Sequence, residues 1–179
     1  MIALPWPAES SSFDLREVRP DDDLDLLHGW MNDPAVARFW GLALPRPELA
    51  FYLDGVRTST HACPAIGCLD GVPVSYWELY RADLDGLARY YPACPHDAGL
   101  HLLLGPGHRG RGLGARLIEL VSSWALAGDA RAARVVGEPD VRNLASVRAF
   151  ERAGFRRRQD IDLPEKRAAL MVRERDVAP

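Results

Sequence analysis

The run Leu100-His101-Leu102-Leu103-Leu104-Gly105-Pro106-Gly107-His108-Arg109-Gly110-Arg111-Gly112-Leu113-Gly114 leads from apolar residues into a turn dense in glycine and arginine. Leu117, Ile118, Val121, Trp124 and Ala125 follow at helical spacing. Glycine lets successive backbone N–H groups point into one concavity. A helix start adds the positive end of its dipole, and the arginines add full charge. Such a turn is an anion cradle, best suited to a phosphate or pyrophosphate. Two further groups bear chemistry. His101 sits on the apolar run, either as a satisfied core histidine or as a proton carrier. Asp140, in Glu138-Pro139-Asp140-Val141-Arg142-Asn143, is either a helix cap or a site carboxylate, and Asn143 is an equally good cap.

These residues need a scaffold, and 179 residues suffice for one domain with a sizeable core. The composition, 47% hydrophobic and 26% charged, is that of a globular chain rather than a disordered one. A net charge of −3 argues against binding nucleic acid through bulk electrostatics, although basic residues cluster at Arg109/Arg111 and Arg156–Arg158. Cys63, Cys68 and Cys94 lack the spacing of a disulfide framework or zinc site, so reduced thiols and no metal are expected. No signal peptide and no membrane-spanning run are visible, which makes a cytoplasmic protein without a membrane partner the expectation.

Residues 1–12 read as a loose leader and 13–176 as a single domain. Phe13-Asp14-Leu15-Arg16-Glu17-Val18 alternates as a first strand, and Pro20 opens a helix with Asp21, Asp22 and Asp23 in its first turn. Asn32-Asp33-Pro34 ends that helix, and a second begins after Pro47. Strands at 62–69 and 72–80 join through the Asp70-Gly71 hairpin signal. Residues 81–98 form a long polar loop. A strand, the Gly/Arg turn and a helix over 112–127 come next, then a strand at 133–137 and a helix at 143–153 closed by Gly154. Strands near 155–163 and 167–175 complete the chain. The order β-α-α-β-β-β-α-β-α-β-β is an α+β layout with a mixed central sheet flanked by helices.

Gly105-Pro106-Gly107-His108-Arg109-Gly110 also matches the GxGxxG dinucleotide fingerprint. Against that, the periodic helix starts only near Gly112, and too little chain remains for a Rossmann half. A Walker loop fails outright, because no Lys-Ser/Thr pair follows the last glycine.

Arg109-Gly110-Arg111-Gly112-Leu113-Gly114 instead resembles the (Q/R)xxGx(G/A) pyrophosphate loop of the GNAT superfamily of N-acyltransferases. Glu138–Asn143 resembles the segment after that family's fifth strand, and Ala145 with Phe150-Glu151-Arg152-Ala153-Gly154-Phe155 resembles its following helix. The resemblance implies a GNAT-like mixed sheet whose strands 4 and 5 splay to admit acyl-CoA, with acetyl-CoA the first expectation. The backbone of Leu102, Leu103 and Leu104 would hold the pantetheine arm with Asn143, and Arg109, Gly110, Arg111, Gly112, Leu113 and Gly114 the pyrophosphate. One departure stands out. The tyrosine with which many members protonate the departing thiolate is Phe150 here, which has no proton to give.

A narrower resemblance is to siderophore-biosynthetic acyltransferases, the aerobactin-type hydroxylysine acetyltransferases and mycobactin lysine acyltransferases. It is carried by Trp30-Met31-Asn32-Asp33-Pro34, by Val74-Ser75-Tyr76-Trp77-Glu78-Leu79-Tyr80 and by Tyr90-Tyr91. Pro95-His96-Asp97, Gly99-Leu100-His101-Leu102-Leu103 and Lys166-Arg167-Ala168-Ala169-Leu170-Met171 extend it. It implies direct acyl transfer, in a ternary complex, to the side-chain amine or hydroxylamine of lysine, ornithine or a related diamine. His101 would be the general base or partner of the attacking nitrogen. Asp140 would orient His101 or bind the substrate. Trp40, Trp77, Glu78, Tyr90, Tyr91 and His96 would line the acceptor pocket, or the aromatics would pack a core. The rivals are an aminoglycoside 6′-N-acetyltransferase, with an acidic cleft drawn from Asp83, Asp85 and Asp97, and a non-catalytic acyl-CoA-binding scaffold.

Overall fold

A computed structural model describes residues 13–176. The expected leader, 1–12, lies outside the described residues. Seven strands and five α-helices are described: β1 (Phe13–Glu17), α1 (Pro20–Met31), α2 (Pro34–Trp40), α3 (Arg46–Thr58), β2 (Ala62–Leu69), β3 (Val72–Arg81), β4 (Ala98–Leu104), α4 (Leu113–Gly128), β5 (Arg134–Gly137), α5 (Leu144–Arg152), β6 (Arg156–Asp162) and β7 (Arg167–Glu174). The layout is α+β, as the hydrophobic periodicity predicts. No described helix is long and apolar enough to cross a membrane.

The chain gathers into two compact units, and β3 and β4 each give residues to both. Of the described residues, the first unit comprises 13–78 and 102–109. Here β1 runs antiparallel to β2 with Phe13 opposite Leu69 and Glu17 opposite Ala65, and β3 follows β2. Asp70 and Gly71 both take positive φ, 49° and 77°, the geometry a two-residue hairpin turn requires. Leu27, Trp30, Met31, Leu49, Leu53, Ile66, Tyr76 and Leu103 form its buried core. One buried charge is built in. Asp23, 3% exposed, accepts two hydrogen bonds of 2.7 Å from Arg16 and another from the Arg19 N–H at the start of α1. Burial pushes the Asp23 carboxyl up, but the guanidinium and the amide outweigh it and hold its pKa below the ordinary value.

Helix α2 departs from the sequence expectation. Asn32-Asp33-Pro34 ends α1, but the same residues start a new helix: Asp33 Oδ1 accepts from Ala35 N at 3.0 Å, and Pro34 occupies the first turn. Proline lacks the N–H that a first turn leaves unpaired anyway, so one dipeptide can serve as both stop and start.

Of the described residues, the second unit comprises 79–101 and 110–176. Its strand order is β4-β5-β7-β6, with β4 parallel to β5, β5 antiparallel to β7, and β7 antiparallel to β6. Val121, Leu100, Val135, Val136, Phe150 and Val172 are among its buried residues. The expected long loop at 81–98 holds a short 3-10 turn, Gly86–Arg89, whose start is capped by Asp85.

Candidate active site

The β4–β5 ladder is short: Ala98 faces Val135 and Gly99 faces Val136, with no further registered pair. It therefore ends where His101 and the segment after Gly137 begin, the parting of strands 4 and 5 that the sequence leads one to expect. Alternation along β4 puts Asp97, Gly99 and His101 on one face and buries Leu100 on the other. The bond from Ala82 N to Asp97 O (2.8 Å), continued two residues along an antiparallel pair, sets Tyr80 beside Gly99. A Cβ at Gly99 would overlap the Tyr80 ring, so only glycine lets the phenol lie across β4.

Through that gap Tyr80 reaches the end of β5. Its Oη donates to Glu138 Oε2 at 2.9 Å and lies 3.4 Å from His101 Nε2, with the two rings 5.0 Å apart. His101 Nε2 bonds directly to Glu138 Oε1. Lys166 Nζ stands 3.6 Å from the same oxygen. Glu138 is 5% exposed and His101 is about one-third exposed on its side chain. The imidazole thus has one edge on a buried carboxylate. Burial alone would raise the Glu138 pKa. His101 opposes it most, followed by Lys166 and Tyr80, and the pKa is held down to about 2. Burial beside this carboxylate pushes the Tyr80 phenol well above its ordinary value, so it remains a donor.

The structure brings His101 together with Glu138, whereas Asp140 turns elsewhere. Asp140 Oδ1 accepts from Arg142 N and Nε at 2.8 and 3.0 Å, and Oδ2 accepts from Arg142 Nη2 at 2.6 Å. The carboxylate hydrogen-bonded to His101 is thus that of Glu138, two residues earlier, while Asp140 is paired with Arg142. Arg142 holds the Asp140 pKa below its ordinary value against partial burial. Asn143 Oδ1 caps α5 by accepting from Ser146 N at 3.2 Å. Phe150 is 4% exposed, stacks edge-on to Phe155, and covers Gly137 so closely that a Cβ there would collide with it. Its place is in the packing.

In the second unit Gly110 and Gly112 have φ of 78° and 77°, conformations that L side chains rarely adopt. Gly112 caps α4 without a side-chain hydrogen bond, and no acidic residue lies in the first turn. Arg111 and Arg116 are exposed and Gly114 is buried. Backbone donors, a dipole end and arginines without a competing carboxylate fit a pyrophosphate. In the first unit Arg109 pairs with Asp33 at 3.0 Å, so its guanidinium already has a carboxylate. Leu103 is buried there, with Leu102 and Leu104 partly so.

The expected acceptor-pocket residues divide. Trp77 is fully buried, its Nε1 donating to Ser75 Oγ at 2.9 Å, which is the core packing open to the aromatics as the alternative to a pocket. Trp40 is partly buried, edge-on to Tyr76 with centroids 5.8 Å apart. Glu78 accepts from Tyr52 and Tyr76 Oη at 2.6 and 2.9 Å. Tyr91 likewise lies in packing. It is buried and donates to Asp97 Oδ2 at 2.9 Å, about 13 Å along β4 from His101 at 3.3 Å per residue. His96 donates its backbone N–H to Asp83 and sets Nδ1 3.2 Å from Asp129, while Tyr90 is exposed. The acidic-cleft candidates are likewise engaged: Asp83 with Arg81, Asp97 with Arg134, Asp85 as a cap. Glu138, Tyr80 and Lys166 all lie in the quoted motifs, but their meeting around His101 comes from strand pairing that the linear order does not display.

Residues 19–163 match the family described as "Acetyltransferase (GNAT) domain". Among curated relatives, an N(6)-hydroxylysine O-acetyltransferase of Escherichia coli is 37% identical over 161 residues, 89% of this chain and 51% of that protein. The chain thus spans about half the length of that relative. The lysine N-acyltransferase MbtK of Mycolicibacterium paratuberculosis is 35% identical, covering 93% of this chain and 75% of that one. An N-hydroxyputrescine acetyltransferase of Acinetobacter baumannii is 36% identical over 75% of this chain and 64% of that one. Among solved structures, the aminoglycoside acetyltransferase AAC(6')-Ib with acetyl-CoA superposes with a TM-score of 0.82 at 27% identity, covering 92% of this chain and 94% of that one.

Proposed function

Because this chain belongs to the GNAT acetyltransferase family, we propose that it transfers an acyl group from acyl-CoA, acetyl-CoA foremost, to the side-chain nitrogen of an N-hydroxylated lysine, ornithine or related diamine. The observation that carries the proposal is His101 held by buried Glu138 where the β4–β5 ladder ends. The names of the curated relatives supply the acceptor class.

A hydroxylamine nitrogen is far less basic than an alkylamine, so it arrives neutral and needs orientation more than deprotonation. The contact of Nε2 with Glu138 fixes the orientation of the ring, and a neutral imidazole can take up a proton. The nitrogen attacks the thioester carbonyl as the His101 imidazole takes up its proton. The C–S bond then breaks, and the imidazolium returns that proton to the departing sulfur. Glu138 keeps the ring in one orientation throughout. His101 thereby covers the acid step left open by Phe150. The backbone of Gly110–Gly114 with Arg111 holds the pyrophosphate. Asp140 and Arg142, at the mouth of α5, are the polar groups nearest in sequence for the acceptor's remaining charges.

Thiol release from acetyl-CoA, measured with N-hydroxylysine, N-hydroxyornithine, lysine and kanamycin, tests this. The expected result is turnover of a hydroxylamine, with a hydroxamate product that binds iron(III). An O-acylated product would not, so colour with iron(III) distinguishes attack by nitrogen from attack by oxygen. Turnover of kanamycin alone would overturn the proposal in favour of the aminoglycoside reading.

A further inference from the structure

Of the 22 lysine and arginine residues in the chain, Lys166 is the only lysine. It stands beside the buried carboxylate of Glu138, 3.6 Å from Oε1, with a side chain only 20% exposed. Its placement is fixed. Leu163 and Lys166 exchange both backbone hydrogen bonds, 2.9 and 3.3 Å, closing a two-residue turn between β6 and β7. An ammonium is a compact point charge, and at this distance it acts through its field while Glu138 Oε1 and Oε2 stay bonded to His101 and Tyr80.

We infer that Lys166 is a positioning residue that neutralises Glu138 independently of His101, so that the imidazole can release its proton without leaving a buried carboxylate uncompensated. The titratable and charged groups around this pair include His101 from β4, Tyr80 from β3, Asp85 acting on Tyr80 from the loop after β3, and Asp140 from the segment after β5, itself paired with Arg142. Without Lys166, His101 is the cation left to Glu138 in this cluster, and the carboxylate retains the imidazolium more tightly. Lys166 also repels that imidazolium directly. Both effects favour the neutral ring, the form that accepts a proton. This inference deepens the proposed role of His101 and rests on it for its catalytic meaning, although the electrostatic claim stands on the free protein.

The test is an NMR titration of the His101 ring in the free protein, its signal assigned by its loss in His101→Ala. In Lys166→Met the midpoint is expected to rise by about one pH unit, and in Lys166→Arg, which keeps the charge, to stay within about 0.3 unit of the wild type. Lys166→Gln serves as a second neutral variant. Unchanged titration of His28, His61, His96 and His108 certifies the fold of each. An unmoved midpoint in both neutral variants overturns the inference, as does an equal rise in Lys166→Arg. Because no substrate is used, the outcome is independent of the acceptor. The proposed role of His101 fails separately, if His101→Ala turns over at the wild-type rate.

Discussion

Among the buried carboxylates of the second unit, Asp97 and Glu138 lie at opposite ends of the β4–β5 ladder, and they are built for different ends. Asp97, fully buried just before β4, is saturated: Tyr91 Oη and Cys94 N donate to Oδ2 at 2.9 Å, and Arg134 grips both oxygens at 2.8 Å. Arginine is charged at every relevant pH, and its planar fork fixes geometry as well as charge. Nothing in that cluster has a proton to exchange near neutrality. Glu138, just after β5, is held by an imidazole, a phenol and an ammonium. Imidazole is the group whose charge changes near neutral pH. The difference teaches that burial of a carboxylate is not itself a sign of chemistry; the titration range of its partners decides.

The contrast can be broken in several ways. The largest effect expected is in His101→Ala, where kcat per folded molecule should fall by about 10²- to 10⁴-fold, the usual contribution of a positioned acid–base group. Steady-state thiol release checks this. At the other end, Asp97→Ala leaves Arg134, 18% exposed, without its partner and should lower unfolding free energy by about 3 kcal/mol in urea titration, with activity per folded molecule retained. Acid stability sharpens the contrast further. The Glu138 pKa is lowered in the fold, so its contribution is fully present above its ordinary value of 4.5 and is lost as pH falls from there toward about 2. Urea titrations between pH 6 and 2 should therefore show a shallower loss in Glu138→Gln than in the wild type. The smallest effect expected is in Asn143→Ala, about 1 kcal/mol from the lost cap on α5, read by thermal melting.

Much of this arrangement was legible in linear order because local rules produce it. Asp70-Gly71 declares its hairpin, the Gly/Arg turn and the helix behind it appear where the spacing puts them, and His101 stands on the predicted strand. What escaped arises between segments. Tyr80 and Glu138 are 58 positions apart, and His101 and Glu138 are 37 apart, so neither pairing has a periodic signature. Reading forward from β5, Asp140 and Glu138 are two acidic residues of equal promise, and only the ladder register decides which meets the imidazole. Trp77 was ambiguous because β3 is buried along nearly its whole length, which erases the alternation that would assign a face. Helix α2 was missed because Asp33-Pro34 carries the signals of a stop and a start at once.

The most direct test compares the two buried carboxylates in one assay. It measures kcat/KM with N-hydroxylysine and acetyl-CoA for Glu138→Gln and Asp97→Asn, each normalised to its folded fraction. The account predicts a loss of at least about 10²-fold in Glu138→Gln and a change within about twofold in Asp97→Asn. Equal losses, or a loss confined to Asp97→Asn, would contradict it.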